Sequence, residues 1–213
     1  MNHLGVFIEF VLHIDRHLSS IIAQYGTITY ALLFLIIFAE TGFVLTPFLP
    51  GDSLLFAVGA LSAQGALHVV WLWLLLLLAV ICGDNVNYWL GYHLGPKVFQ
   101  GKKLFRPEYL EKTKEFYAKH GKKALILARF VPIIRTFAPF VAGIGRMKYR
   151  HFLCFSILGG FLWVSFFIWG GYFFGNLPLV KEHFSLFIII IIIASLIPLA
   201  VEVWKHRKET LGN

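Results

Sequence analysis

Three stretches of this chain are apolar over a length that crosses a bilayer, and two more are apolar but broken near their centres. A hydrocarbon core of about 30 Å takes about 20 helical residues. Residues 69–95, 151–175 and 184–204 supply that length, the last through the run FSLFIIIIIIASLIPLAV (184–201). Residues 28–62 fit no such scheme. As one helix they would extend about 52 Å at 1.5 Å per residue, too long for a single crossing, while two crossings need about 40 residues and a turn. TPFLPGD (46–52) interrupts them, and Pro47, Pro50 and Gly51 there free backbone groups that lipid cannot satisfy. A helical hairpin that dips into the membrane and returns to the same face solves this. Residues 124–145 have the same character: ARFVPIIRTFAPFVAG (128–143) sets Pro132 and Pro139 among apolar residues, which predicts a second re-entrant hairpin.

The two flanking segments read differently. In residues 1–27, Leu4, Phe7, Ile8, Val11, Ile14, Leu18, Ile21, Ile22 and Tyr25 recur at helical spacing, which predicts an amphipathic helix along the membrane surface. Glu9 interrupts the apolar run and no basic leader or small-residue cleavage site is present, so a cleaved signal peptide is not expected. His13 and His17 stand four apart without a third ligand, so no metal is expected there. In the loop 96–123, PEYLEKTKEFYAKHGKK (107–123) sets Tyr109, Leu110, Thr113, Phe116 and Tyr117 along one side of a helix with lysines elsewhere.

Composition sharpens the picture. With 58% hydrophobic and 14% charged residues among 213, the chain reads as one all-α polytopic membrane domain and not as a soluble protein. A net charge of +8 would suit a nucleic-acid partner, but nine of the nineteen Lys and Arg fall between Lys97 and Lys123. That is the pattern of a cytoplasmic loop lying on anionic phospholipid, each basic residue contributing about 1 kcal/mol. No nucleic acid is expected. Cys82 and Cys154 lie in apolar segments without ligand spacing, and no cofactor is expected.

The basic residues also orient the segments. Lys122 and Lys123 precede the second hairpin and Arg146, Lys148 and Arg150 follow it, so both its ends belong inside. The span 151–175 then runs outward and 184–204 returns, leaving Lys205, Arg207 and Lys208 at a cytoplasmic C-terminus. Working backwards, 69–95 runs inward and the first hairpin enters from outside. WLGYHLG (89–95) and WGGYFFG (169–175) share the pattern W-x-G-Y-x-x-G, each closing the span that follows a broken hairpin. With one crossing between equivalent points, the second half is expected to be inverted relative to the first. Secondary transporters are often built this way.

Five charges fall inside these segments: Glu40, Asp52, Asp84, Arg129 and Arg135. Each costs at least about 2.5 kcal/mol at a helix centre on the insertion scale, so they are expected to face protein or water. One reading makes them buried ion pairs fixing the two hairpins together. Another gives them a substrate. A guanidinium stays charged and its planar fork matches phosphate oxygens, which makes Arg129 and Arg135 candidate ligands for an anionic headgroup. Low dielectric favours a neutral carboxyl, which makes Glu40 and Asp52 candidates for proton exchange.

FAETGFVLTPFLPGDSLLFAVGAL (38–61) and ARFVPIIRTFAPFVAGIGRMKYRHF (128–152) resemble the bacterial DedA family of the VTT-domain superfamily, over nearly the whole chain. The resemblance implies an inner-membrane protein that returns undecaprenyl phosphate, a polyprenyl carrier, to the cytoplasmic leaflet at the expense of the proton gradient. It carries the family's essential acids onto Glu40 and Asp52 and its essential arginines onto Arg129 and Arg135, with Asp84 in GDNVNY (83–88) a weaker match. A lipid flippase is thus the leading expectation. A proton antiporter or small-ion carrier, with the arginines as mere counter-ions, is the alternative. An intramembrane lipid phosphatase is the remotest, since Thr46, Ser53, Tyr88 and Thr136 offer hydroxyls without a histidine nearby in sequence. No enzyme activity is expected. The oligomeric state stays open, a homo-oligomer included.

Overall fold

A computed structural model describes residues 25–43, 51–98, 117, 121–129 and 131–178. The predicted surface helix at 1–27, the span at 184–204, most of the basic loop, and Pro47 and Pro50 lie outside or almost wholly outside these residues. The described elements are helical: α1 (Ile28–Gly42), α2 (Gly51–Ala63), α3 (Val69–Val98), a short 3-10 turn (Gly121–Lys123), α4 (Ala124–Ala128), α5 (Pro132–Ile144) and α6 (Tyr149–Phe174). Two of them, α3 and α6, hold apolar stretches long enough to cross a membrane, at Val69–Leu94 and Tyr149–Phe174.

Several boundaries differ from those expected. The long helix α3 continues through Gly95 and Pro96 to Val98, into the segment read as a loop. A proline deletes one helical hydrogen bond without obliging the chain to leave the helix. Gly51, expected to break the first hairpin, opens α2, and the chain leaves α1 earlier, with Phe43 extended. Pro132 likewise starts α5 and does not interrupt a helix. At the first helical position its missing N–H has no intrahelical partner to lose. Pro139 lies inside α5, which runs on past it, so its expected role as a breaker is not observed. The break in the second segment falls at 129–131, ahead of both prolines.

The exterior is apolar and the interior carries the charge. Trp71, Leu78, Phe166 and Phe173 are more than half exposed, while Glu40, Asp84, Asn87, Arg129 and Arg135 are buried. Only 33% and 39% of the most apolar windows of α3 and α6 are covered by protein. A soluble domain would invert that arrangement, which makes this a membrane protein.

Contacts along the helices fix their directions. Trp73 donates to Ser165 at 2.9 Å, and Tyr88 stacks on Phe152 with ring centroids 4.3 Å apart, so α3 and α6 run antiparallel. Near the start of α3 the His68 amide donates to the Tyr30 hydroxyl at 2.7 Å, and the far end of α1 meets α3 at Gly83. So α1 runs beside the first half of α3 and stops. In the second half of the chain α4 packs along α6 and reaches Gly159 through Ile126 and Arg129. The returning helices cross over: α2 packs chiefly on α6, and α5 on α3.

The crossing is built on glycine in a repeated way. A Cβ on Gly171 of α6 would strike the Phe56 carbonyl of α2, and one on Gly91 of α3 would strike the Phe140 carbonyl of α5. These are equivalent positions of the W-x-G-Y repeat, meeting equivalent positions of a second repeat, FAVG (56–59) and FVAG (140–143). Within it, Gly59 faces the Ile168 backbone and Gly143 the Tyr88 and Tyr92 backbones. Small residues let helices approach closely, which is how packing replaces the hydrophobic effect in lipid. Gly170, beside Gly171, has open space where a Cβ would go. Gly171→Ala and Gly143→Ala are therefore expected to destabilise the detergent-solubilised protein by about 1–3 kcal/mol through overpacking against backbone, and Gly170→Ala to leave its melting temperature unchanged. Equal melting of all three would show that the glycine contacts do not hold the crossing.

Candidate functional site

Four side chains at helix ends and one from mid-helix bring five ionisable groups together in the described bundle. Glu40 comes from the last turn of α1 and Asp52 from the first turn of α2, on either side of the first break. Arg129 follows α4 and Arg135 lies in the first turn of α5, around the second break. Asp84 projects from the middle of α3, where Asn87, one turn on, ties the two broken segments together: its amide donates to the Thr41 carbonyl at 3.0 Å and the Thr136 carbonyl at 2.8 Å.

Arg135 joins the halves electrostatically. Its Nη2 donates to Glu40 Oε1 and its Nη1 to Asp52 Oδ1, each at 2.6 Å. Its guanidinium carbon lies 4.5 Å from the centre of the Trp163 ring of α6, whose Nε1 donates to the same Asp52 Oδ1 at 2.8 Å. Arg129 forms the second pair, donating through Nη2 to Asp84, which also accepts from the Ser156 hydroxyl. Both arginines are almost wholly buried. Buried charges of this kind are tolerable only when paired and hydrogen-bonded.

Gly51 has a specific part here. A Cβ at this position would overlap the Glu40 carboxylate. Glycine thus lets the first turn of α2 close over the carboxyl that ends α1.

Pairing does not exhaust the network. Among the described residues Glu40 Oε2, Arg135 Nε, Arg129 Nη1 and Asn87 Oδ1 are buried without a hydrogen-bond partner. Among the described residues three carboxylates also face two guanidiniums, so the described cluster holds one acid more than it has cations to neutralise.

The five charged residues named from sequence are brought together, not as an open anion cradle but with each arginine held by carboxylate. Asp84, the weakest match, has as firm a partner as the others. The reading missed Trp163, Ser156 and Asn87. For the two polar residues a signal existed, since Asn87 and Ser156 interrupt otherwise apolar spans. Trp163 gave a subtler one, lying in mid-helix where membrane tryptophans ordinarily sit at the ends.

Residues 49–173 match the VTT domain. Over 212 residues the chain is 51% identical to Protein DedA of Escherichia coli strain K12, which covers 98% of this chain and 97% of that relative. It is 40% identical over 184 residues to an uncharacterized membrane protein of Mycobacterium tuberculosis strain H37Rv, covering 83% of this chain and 81% of that one. With the inner membrane protein YqjA of Escherichia coli strain K12 it shares 33% identity over 192 residues, 86% of this chain and 87% of the relative. No solved structure matches significantly. With identity and coverage on this scale, the chain belongs to the DedA family of membrane proteins and carries its VTT domain.

Proposed function

We propose that this protein carries a lipid phosphate across the bacterial inner membrane at the expense of the proton gradient, with undecaprenyl phosphate as its cargo. The observation that carries the reading is the arginine–carboxylate cluster at the two helix breaks, with its excess of one acid. Two half-length helices, α2 and α5, begin at this cluster, and helix N-termini favour negative charge. A phosphate drawn there competes with Glu40 and Asp52 for Arg135. A proton arriving on one of those carboxyls removes the competitor, and its departure restores the ion pair and expels the phosphate. Arg129 and Asp84 form the second such pair, with Arg129 Nη1 free of partners among the described residues.

On this reading 28–62 and 124–145 are re-entrant hairpins entering from opposite faces, and the C-terminus is cytoplasmic. The antiparallel α3 and α6, with each returning helix packed on the other half's span, support an inverted repeat. The basic loop at 96–123 gathers anionic phospholipid at the inner leaflet. The protein acts as a carrier and not as an enzyme, and release of inorganic phosphate from the lipid would overturn that.

A second reading has support of its own. Each arginine is paired with carboxylate in this structure, as a counter-ion in a proton antiporter or small-ion carrier would be. Headgroup accessibility of undecaprenyl phosphate in proteoliposomes, with and without an imposed proton gradient, separates the two. For a flippase, wild type moves the lipid faster with the gradient, Arg135→Ala reduces transport at least tenfold, and Glu40→Gln abolishes the response to the gradient. Proton flux with the lipid left stationary would favour the ion carrier.

The pair on α3 and the second break allows a sharper test. Replacing a buried ion pair by apolar residues of similar volume is often neutral for stability, while removing one member costs about 3–5 kcal/mol. The double variant Arg129→Met with Asp84→Leu should therefore melt within a few degrees of wild type yet lose lipid transport. Retained transport would make this pair structural. For topology, Lys123→Cys and Lys148→Cys, each in a background lacking Cys82 and Cys154, should both be labelled from the cytoplasmic side by an impermeant maleimide. Labelling from opposite sides would turn the second hairpin into an ordinary crossing.

A further inference from the structure

We infer that Trp163 is a positioning residue that binds Asp52 and Arg135 into one permanent unit, leaving Glu40 as the carboxylate of that group which exchanges a proton. The inference rests on the proton-exchange part of the function proposed above and assigns within it which acid does what.

The two carboxylates on Arg135 are not equivalent. Asp52 Oδ1 accepts two hydrogen bonds, from Arg135 Nη1 at 2.6 Å and from Trp163 Nε1 at 2.8 Å. Glu40 accepts one, on Oε1 from Arg135 Nη2 at 2.6 Å, and its Oε2 is buried without a partner among the described residues. Hydrogen bonds to a carboxylate stabilise its charged form, and a buried lone oxygen does not. Asp52 also lies in the first turn of α2, whose dipole favours an anion, while Glu40 lies in the last turn of α1, whose dipole opposes one.

Trp163 acts on both members of the retained pair. Its N–H fixes the carboxylate, and its ring face, 4.5 Å from the guanidinium carbon, attracts the cation. The indole is wholly buried and Asp52 keeps only 13% of its side chain exposed, so both contacts are largely shielded from water. When Glu40 becomes neutral, Arg135 loses one of its two anions but keeps Asp52 and the indole, and stays aimed at the break between α1 and α2. An arginine held only by two equivalent acids would have no fixed position once either was protonated. The described charged and titratable groups around Asp52 are Glu40 on α1 and Arg135 on α5; Asp84 on α3 and Arg129 after α4 make the neighbouring pair.

The test reads protonation directly and needs no transported lipid, so it stands apart from the fate of the flippase reading. Infrared difference spectra of the reconstituted protein, recorded across an acid-to-neutral titration, show the carbonyl stretch of each neutral carboxylic acid. In wild type, one band is expected that Glu40→Gln removes and Asp52→Asn leaves. Trp163→Phe keeps an aromatic face and loses the N–H, and should add a second band that Asp52→Asn then removes. Trp163→Gln supplies an N–H donor that stays neutral throughout the titration and should remove the second band again, which a merely space-filling tryptophan would not require. A wild-type band that vanishes with Asp52→Asn, or a Trp163→Phe spectrum identical to wild type, would overturn the assignment. If Trp163→Phe melts below the working temperature, the glutamine variant decides: a new Asp52 band there overturns the role of the N–H, and its absence supports it. Lipid transport measured on the same samples reports on the cargo alone.

Discussion

The bridge from Arg135 to Glu40 and Asp52 is the interaction on which the rest of the molecule depends, because it corrects charges that the helices by themselves would reject. Arg135 is a cation at the positive end of α5, and Glu40 an anion at the negative end of α1. Each is at the wrong end of its helix dipole, and each is buried. Neither charge would be compensated at its site alone. Together with Asp52 they tie the end of α1, the start of α2 and the start of α5 to one another through their side chains.

The crossed packing brings those ends to one place. Because α2 leaves its own half to lie on α6, and α5 leaves its half to lie on α3, the two breaks meet inside the bundle and not on separate faces. The close backbone contacts at Gly171 with Phe56, and at Gly91 with Phe140, set that crossing on both sides by the same means. Asn87 then ties the loose ends, its amide reaching a carbonyl from each broken segment. Repeat, packing and charge cluster are thus consequences of one arrangement. Without the glycines the helices would stand too far apart for a single guanidinium to span two carboxylates contributed by the other half.

Sequence alone made the broken segments, the spans at α3 and α6 and all five charges legible, since each rests on a cost that lipid imposes locally: a polar group or a helix interruption needs a partner wherever it falls. The exact breaks were less legible. Prolines draw attention, but Pro132 starts α5 and Pro139 rides inside it, because a proline is tolerated where its missing N–H is an orphan or where neighbours absorb the loss. Pairing was illegible for another reason. Nothing local says that Arg129 meets Asp84 forty-five positions away, or that Trp163 reaches Asp52 over a separation of 111 residues. Those choices follow from the crossing of α2 and α5, which the W-x-G-Y repeat hinted at only through one of its two partners. The other, F-x-x-G, gains meaning once the backbones are seen to touch.

Among the described residues three acids stand against two bases, and this count bears on the proposed function. With equal numbers, every charge could be satisfied permanently, and the cluster would be a rivet. With one acid in excess, the cluster with all five groups charged carries a net negative charge in low dielectric, where such a charge is expensive. A proton is the smallest cation that relieves it, and an incoming phosphate would make it worse. Proton and phosphate are therefore not independent passengers: the anion is tolerated when a carboxyl has first been neutralised. On the proposed function this coupling follows from the count of charges among the described residues and from their burial, nearly complete for all but Asp52, which is 13% exposed.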